Sequence, residues 1–346
     1  MKKPDLIFIV PDLHTGGGER VTFEILKKLN NNSTTLFSKT TQTERRVLDL
    51  IKHKEINWSK KISSLVSIIN YLLFAPKNSV VIVIFTGPYI IMGLINIFLR
   101  RNMVAYEHSD INKLYFQGSY IKILLRKLLF CISNFGIKKI FVVSEDLREE
   151  MQSHVCIKKR KVFLINNPVT PFLKKINYSL PSSSISKGCR AFIIGRNSPE
   201  KRIYEAVSFL KRSKLISEII VVSDNFSNLE DLKCADFKID FLPSIDEIKE
   251  ISLRNDFLFN YCKVESYSLV VAEWLASRLK TISVDVESMI KRWGNYAGFF
   301  YVKENDIEGL EEIIKNFEID RRQIFLPNSI DSTLDQFLKN CLDLKP

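Results

Sequence analysis

A chain of 346 residues exceeds one ordinary hydrophobic core and fits two domains. With 46% apolar and 26% charged residues, and only 12 glycines and 11 prolines, the composition is globular and excludes fibrous and low-complexity classes. The formal net charge of +12 belongs to the first half: residues 1–175 carry 28 Lys and Arg against 13 Asp and Glu, and the remainder carry 23 against 26.

A half so basic seeks an anionic partner such as a phosphorylated substrate or an acidic membrane surface, unless its charge is only a solvated face. The six cysteines are scattered singly, with no CxxC and no zinc-site spacing, which points to reduced thiols in a cytoplasm.

In chain order, "DLIFIV" (5–10) is too short for a secretory or spanning segment and reads as a buried first strand, followed by a helix from about Glu19 to Leu29. Val80 to Leu99 is 20 residues without charge, the length of a membrane span. Gly87-Pro88 is turn chemistry, however, and splits the run into a six-residue strand and an 11-residue helix. "MVAYEHS" (103–109) is a strand that precedes a helix from Tyr120 to about Phe135. That helix carries Lys122, Arg126 and Lys127 beside an apolar face, and reads equally as a membrane-surface helix and as an ordinary core-facing one. "KKIFVVS", "EDLREEMQSH" and "KVFLINNP" complete the first half.

The Pro-, Ser- and Lys-rich tract 169–189 is the best linker. Strand and helix patterns then alternate again through "RAFIIG", "RIYEAVSFLKRS", "EIIVVSD", "DFKIDFLPS", "IDEIKEISLRN", "DFLFNY", a helix through Glu273, and "KTISVD". A helix from Ile330 to Leu342 ends the pattern. This βαβ rhythm predicts an α/β protein of two doubly wound, Rossmann-like domains.

Three stretches carry chemistry. "HTGGGERV" (14–21) joins the first strand to a helix; its glycines suit a close backbone approach to a phosphate, and equally a flexible turn. "FIIGRNSPEKRIYEAV" (192–207) opens the second half in the same way, with Arg196 and Lys201 flanking the loop, two cations that suit a diphosphate. In "VESYSLVVAE", Glu265 lies in a loop and Glu273 eight residues later on the following helix, where two carboxylates can each grip a diol. The amides at that helix start can receive an anion. No DxD-like metal motif and no nucleic-acid-binding motif is present.

Taken in order and spacing over nearly the whole chain, these motifs, with "VVSEDLREEM" and "LINNPV", resemble glycosyltransferase family 4. The resemblance implies a GT-B fold with two Rossmann-like domains facing a central cleft. Its boundaries would be an acceptor-binding domain at 1–170, a linker at 171–188, a nucleotide-sugar-binding domain at 189–325, and a C-terminal helical segment at 326–346 packing back toward the first domain.

It further implies retaining hexosyl transfer from a nucleoside diphosphate sugar, UDP rather than GDP, with no cofactor and no required metal. In this reading Glu273 holds the ribose. Glu265 and the amides of Tyr267, Ser268 and Leu269 hold the donor sugar. Arg196 and Lys201 neutralise the diphosphate, Gly17 and Gly18 approach it from the first domain, and His108 lies near the reacting face. The acceptor is a saccharide, lipid-diphosphate-linked, in bacterial surface polysaccharide synthesis. The basic half then sits on the anionic inner face of the plasma membrane, and nucleic acid is not a partner.

One departure stands out: where the family pattern has "GFG", this chain has "SYS" (266–268). Loss of both glycines requires the loop to place its amides either without positive φ or with strain. A GT-B-fold epimerase or phosphorylase, or a non-catalytic sugar-binding member, are the competing readings.

Overall fold

A computed structural model of the chain describes residues 5–12, 17–29, 34–39, 52–55, 61–108, 111–116, 118–169, 177–178, 188–223, 225–227, 229–232, 237–243, 247–248, 250–251, 256–263, 265, 267–317, 324 and 330–342. His14 to Gly16, Ser266 and most of the 171–188 tract lie outside the described residues.

The strands are β1 (Leu6–Asp12), β2 (Thr34–Lys39), β3 (Lys52–Glu55), β4 (Val80–Ile84), β5 (Asn102–Glu107), β6 (Lys139–Val142), β7 (Val162–Leu164), β8 (Asn177–Tyr178), β9 (Cys189–Ile194), β10 (Ile216–Val222), β11 (Lys238–Leu242), β12 (Glu250–Ile251), β13 (Asp256–Asn260), β14 (Lys280–Val284) and β15 (Phe299–Val302). The helices are α1 (Gly17–Leu29), α2 (Lys61–Phe74), α3 (Thr86–Leu99), α4 (Ile111–Leu114), α5 (Tyr120–Ser133), α6 (Glu145–Ser153), α7 (Ile203–Leu210), α8 (Leu269–Ala276), α9 (Glu287–Trp293), α10 (Ile307–Lys315) and α11 (Ile330–Leu342).

The chain divides into two units, one of residues 1–168 with 328–346 and one of residues 169–327. The first holds a parallel seven-stranded sheet in the order β3-β2-β1-β4-β5-β6-β7; the second holds a parallel six-stranded sheet in the order β11-β10-β9-β13-β14-β15. In each sheet the order reverses at one point, between β1 and β4 and between β9 and β13. Ligands of open α/β sheets bind at the carboxyl ends of the strands at such a switch. The central strands are continuous apolar runs, as in β4, where all five residues are buried, because helices cover both faces of the sheet.

Right-handed crossovers put α1 on one face of the first sheet and α3, α5 and α6 on the other. α11 joins the α1 face: Thr333 donates to the Asn166 carbonyl at 3.0 Å, and Lys139 Nζ donates to that of Asn340 at 2.8 Å. Phe337, fully buried, meets Phe8, Tyr106 and Phe141 with ring centroids 6.3, 5.7 and 5.5 Å away.

The Val80–Leu99 run differs in detail from the sequence expectation. Gly87 and Pro88 form the first turn of the 14-residue α3 instead of a separate turn. Proline is tolerated there because its missing N–H would have no helical partner. The reversal is made by Phe85, at φ 71°. Among the described residues no helix is long and apolar enough to cross a membrane.

Phe337 is the keystone of the α11 contact. Truncation to Ala is expected to destabilise the first unit by about 3–5 kcal/mol, checked by denaturant unfolding.

Candidate functional site

In the second unit, the loops after β9 and β13 flank the switch point. Because these strands are neighbours, the loops meet. The Lys263 amide donates to the Glu200 carbonyl at 2.9 Å, and Lys201 Nζ lies 2.5 Å from Glu265 Oε2. Both partners are largely shielded, with side chains 25% and 14% exposed. Burial by itself would lower the Lys201 ammonium, but the Glu265 carboxylate outweighs it and holds the pKa above the ordinary lysine value. Lys201 therefore stays charged. Its stem crosses Gly195, where an added Cβ would lie 3.6 Å from the Lys201 Cγ and Cδ. Arg196, next in the loop, is exposed.

Glu265 uses its other oxygen locally: Oε1 accepts the Ser268 amide at 3.2 Å, and its carbonyl accepts the Ser288 hydroxyl at 2.6 Å. Each carboxylate oxygen keeps a second lone pair for a ligand hydroxyl. Tyr267 points inward, its ring edge-on to Trp293 at 5.4 Å and beneath the Arg292 guanidinium at 4.8 Å, and its carbonyl accepts the Trp293 indole N–H at 3.1 Å. Burial raises its phenol pKa. Tyr267 is thus the anchor of the loop, its side chain packed against Trp293 and Arg292.

Ser268 is the N-cap of α8 at φ 54°, with no side-chain cap. It keeps a left-handed conformation of the kind glycine adopts, so the loss of the family-like glycine is met with strain and not with a new path. Arg202, the N-cap of α7, has φ 50° and likewise no side-chain cap. At both helices that face the switch point the N-cap side chain makes no cap bond, and at α8 the Ser268 amide is taken by Glu265 Oε1. Leu269 opens α8, and Glu273 lies one turn on, 2% exposed. A carboxylate so buried is a costly feature for a fold to keep.

In the first unit, Gly18 and His108 meet at the ends of β1 and β5. A Cβ on Gly18 would lie 2.9 Å from His108 Cγ and 2.9 Å from Phe85, so only glycine fits. Gly17 opens α1. His108 is 8% exposed, its ring 4.3 Å from Tyr106 and 5.7 Å from Phe85, and burial pushes its pKa down to about 3. The buried Glu107 carboxylate accepts the His108 amide at 3.1 Å and the Thr86 hydroxyl at 2.7 Å.

Sequence reasoning missed Glu107, Phe85, Ser288 and Trp293. It also missed the Arg190–Asp256 pair, whose Nε donates to Oδ1 at 2.9 Å and Nη2 to Oδ2 at 2.5 Å, clamping β9 to β13 at their opposite end. A base at the second position of β9 and an acid at the first position of β13, both otherwise apolar strands, were the available signal. A cavity of about 550 Å³ between α9 and α10, bordered by Asp285, Lys291 and Lys303, includes none of the candidate residues and lies apart from this chemistry. Among the described residues, no group of three or more His, Cys, Asp or Glu is placed to hold a metal.

No protein-family profile and no curated protein sequence matches the chain. Solved structures do. HepE of Anabaena in complex with UDP and glucose superposes with a TM-score of 0.72 at 12% identity, covering 99% of this chain and 100% of that one. A glycosyltransferase of Rickettsia africae superposes with a TM-score of 0.66 at 18% identity, covering both chains fully. The lipopolysaccharide outer core galactosyltransferase WaaB, in its apo form, gives 0.62 at 14%, covering 97% of each chain.

The fold is GT-B. At such identities the likeness extends to the fold alone. Within a GT-B chain, the two switch points found here are where the Lys201–Glu265 and Gly18–His108 constellations stand.

Two measurements follow from this geometry. Relief of roughly 1–2 kcal/mol of backbone strain at Ser268 exceeds roughly 0.5–1 kcal/mol of added chain entropy. Ser268→Gly should therefore be neutral or stabilising by up to about 1 kcal/mol, and Ser268→Val destabilising by about 2 kcal/mol, both read by thermal or denaturant unfolding. His108 gains no proton in the folded state until far below its unfolded pKa. Stability attributable to it should fall as pH drops below about 6.5, and nitrogen-15 spectra should show a neutral ring down to about pH 5.

Proposed function

We propose that this protein is a retaining glycosyltransferase that moves a hexosyl residue from a nucleoside diphosphate sugar, UDP-linked, to a saccharide acceptor. The observation that carries this reading is the Lys201–Glu265 pair, which joins the two loops at the β9/β13 switch point beside two helix starts without side-chain caps. A permanently charged lysine, an exposed arginine and two helix N-termini form a site for a diphosphate. Glu265 and Glu273 are acceptors for the hydroxyls of the donor sugar and its ribose. The complex of HepE with UDP and glucose, and the galactosyltransferase WaaB, lend support as neighbours in fold.

In this reading the bond between the anomeric carbon and the diphosphate oxygen breaks as the acceptor hydroxyl attacks from the same face. The acceptor's proton passes to the leaving phosphate oxygen. Arg196, Lys201 and the starts of α7 and α8 stabilise the negative charge that develops, as fixed dipoles and charges that need no reorganisation. This neutralisation operates without a divalent ion. His108, neutral, offers a hydrogen bond and not a charge to a sugar hydroxyl, and Gly17 and Gly18 allow backbone approach. Ser268 bears on the competing non-catalytic reading, because it keeps the glycine-like φ the donor loop calls for. The basic first half suits a lipid-diphosphate-linked acceptor in surface polysaccharide synthesis, at the inner face of the plasma membrane.

A thermal-shift panel of nucleotide sugars tests the reading. One donor should stabilise the protein, Glu273→Ala should abolish the shift, and no stabilisation by any donor would overturn the assignment. Lys201→Met should lower kcat about 10²–10³-fold, activity should survive chelators, and free nucleoside diphosphate should appear only with a saccharide acceptor present.

A further inference from the structure

Helix α5 presents its apolar side to solvent. With about 100° per residue, Tyr120, Ile121, Leu124, Leu125, Leu128 and Ile132 fall within an arc of about 140°. All six are exposed, from 79% at Tyr120 to 37% at Ile132. Its buried residues, Phe130 and Ser133, lie on the opposite side of the helix.

The inner side cannot roll outward. A Cβ on Gly93 of α3 would lie 2.6 Å from the Ser133 carbonyl oxygen, and one on Gly136, just past α5, would lie 1.9 Å from that of Gly93. Tyr89 donates to Asn134, and the Phe130 ring is wedged against Tyr89 and His154 at 5.4 and 5.2 Å. Phe130 and Ser133 make the core-facing side of this helix, and Leu124, Leu125 and Leu128 face away from the core.

The charges around the stripe are cationic. Lys127 stands about 20° beyond Tyr120 at one border and Lys122 about 60° beyond Leu125 on the other side, both exposed. At its far end Lys161 donates to the carbonyls of Asn134 and Ile137 at 3.1 and 2.7 Å, which seats the exposed run Lys158, Lys159 and Arg160 beside Phe135, itself 81% exposed. An apolar stripe of this size is rarely left open in a water-soluble surface. An outward apolar stripe with cations at its edges matches the interface of an anionic bilayer: leucines enter the acyl boundary and ammonium groups meet phosphates. A second copy of the chain is a poorer occupant, because a two-fold contact on this face sets like cations against one another.

We propose that α5 is the membrane-docking helix of this protein, lying in the plane of an anionic phospholipid surface with Ile121, Leu124, Leu125 and Leu128 inserted. This deepens the lipid-linked reading of the acceptor and rests on it only for its purpose. α5 follows β5, whose carboxyl end carries His108, so the stripe begins at the rim where the first unit would meet an acceptor.

Flotation of the full chain with vesicles tests it without any turnover. The protein should float with phosphatidylglycerol–phosphatidylcholine vesicles and not with phosphatidylcholine alone. Leu124→Asn with Leu128→Asn should cut binding by about tenfold or more. Lys122→Gln with Lys127→Gln should weaken binding and reduce its salt dependence. The Leu124 and Leu128 side chains are exposed, so the double variant should keep its unfolding temperature and its response to the nucleotide-sugar panel, which separates failure here from failure of the donor reading. Flotation of the double leucine variant at the wild-type level would overturn the proposal. So would a wild type that stays unbound, or a dimer in sedimentation that the leucine variant dissolves.

Discussion

The pairing of β9 with β13 is the constraint on which the second unit depends. These strands are far apart in sequence and adjacent in the sheet, and each end of the pair is held by opposite charges. Arg190 forks onto the fully buried Asp256 at one end, and Lys201 meets Glu265 at the other. Removing a partner of such a shielded pair leaves an uncompensated charge, which costs far more than an exposed surface pair contributes. The pair at the carboxyl end also does chemical work. It keeps a lysine ammonium charged in a desolvated place, and it ties the loop holding Glu265 to the start of α8.

The same economy appears in the first unit in a different chemistry. There the close approach is made without ions: Gly18 lies against His108 and Phe85, and the imidazole is held neutral by burial. The strained φ at Phe85, like that at Ser268 and Arg202, falls at the turn out of a strand or into a helix at a switch point. Strain of this kind persists only where surrounding packing over-determines it, and it concentrates where a fold positions ligands. The first unit thus gathers a neutral imidazole at its switch point, and the second gathers a lysine and carboxylates at its own.

Much of this was legible in the sequence. The βαβ alternation predicted both sheets, because buried parallel strands must be apolar throughout and their crossovers must be helical. "GRNSPEK" and "VESYSLVVAE" marked the loops after β9 and β13, since Lys201 and Glu265 are charged residues placed where an apolar strand gives way to a helix. The two-residue strands β8 and β12 were not legible, because two residues carry no periodicity. Glu107 was passed over because a single carboxylate at a strand end has no pattern until Thr86 and the His108 amide are seen beside it. The start of α3 was misplaced because Gly-Pro is turn chemistry in isolation and a good helix start once Phe85 has made the reversal.

By itself the sequence determined most of the central strands and the helices between them, the two-unit architecture and the residue types available at the strand ends, because hydrophobic period and turn chemistry are local properties of the chain. Tertiary structure alone decided which of those residues meet. It paired Lys201 with Glu265 across 64 positions, kept Ser268 in a glycine-like conformation, and turned the leucines of α5 outward. Amphipathicity states that a helix has an apolar face; only the packing of α3 against Gly136 and Ser133 states which way that face points.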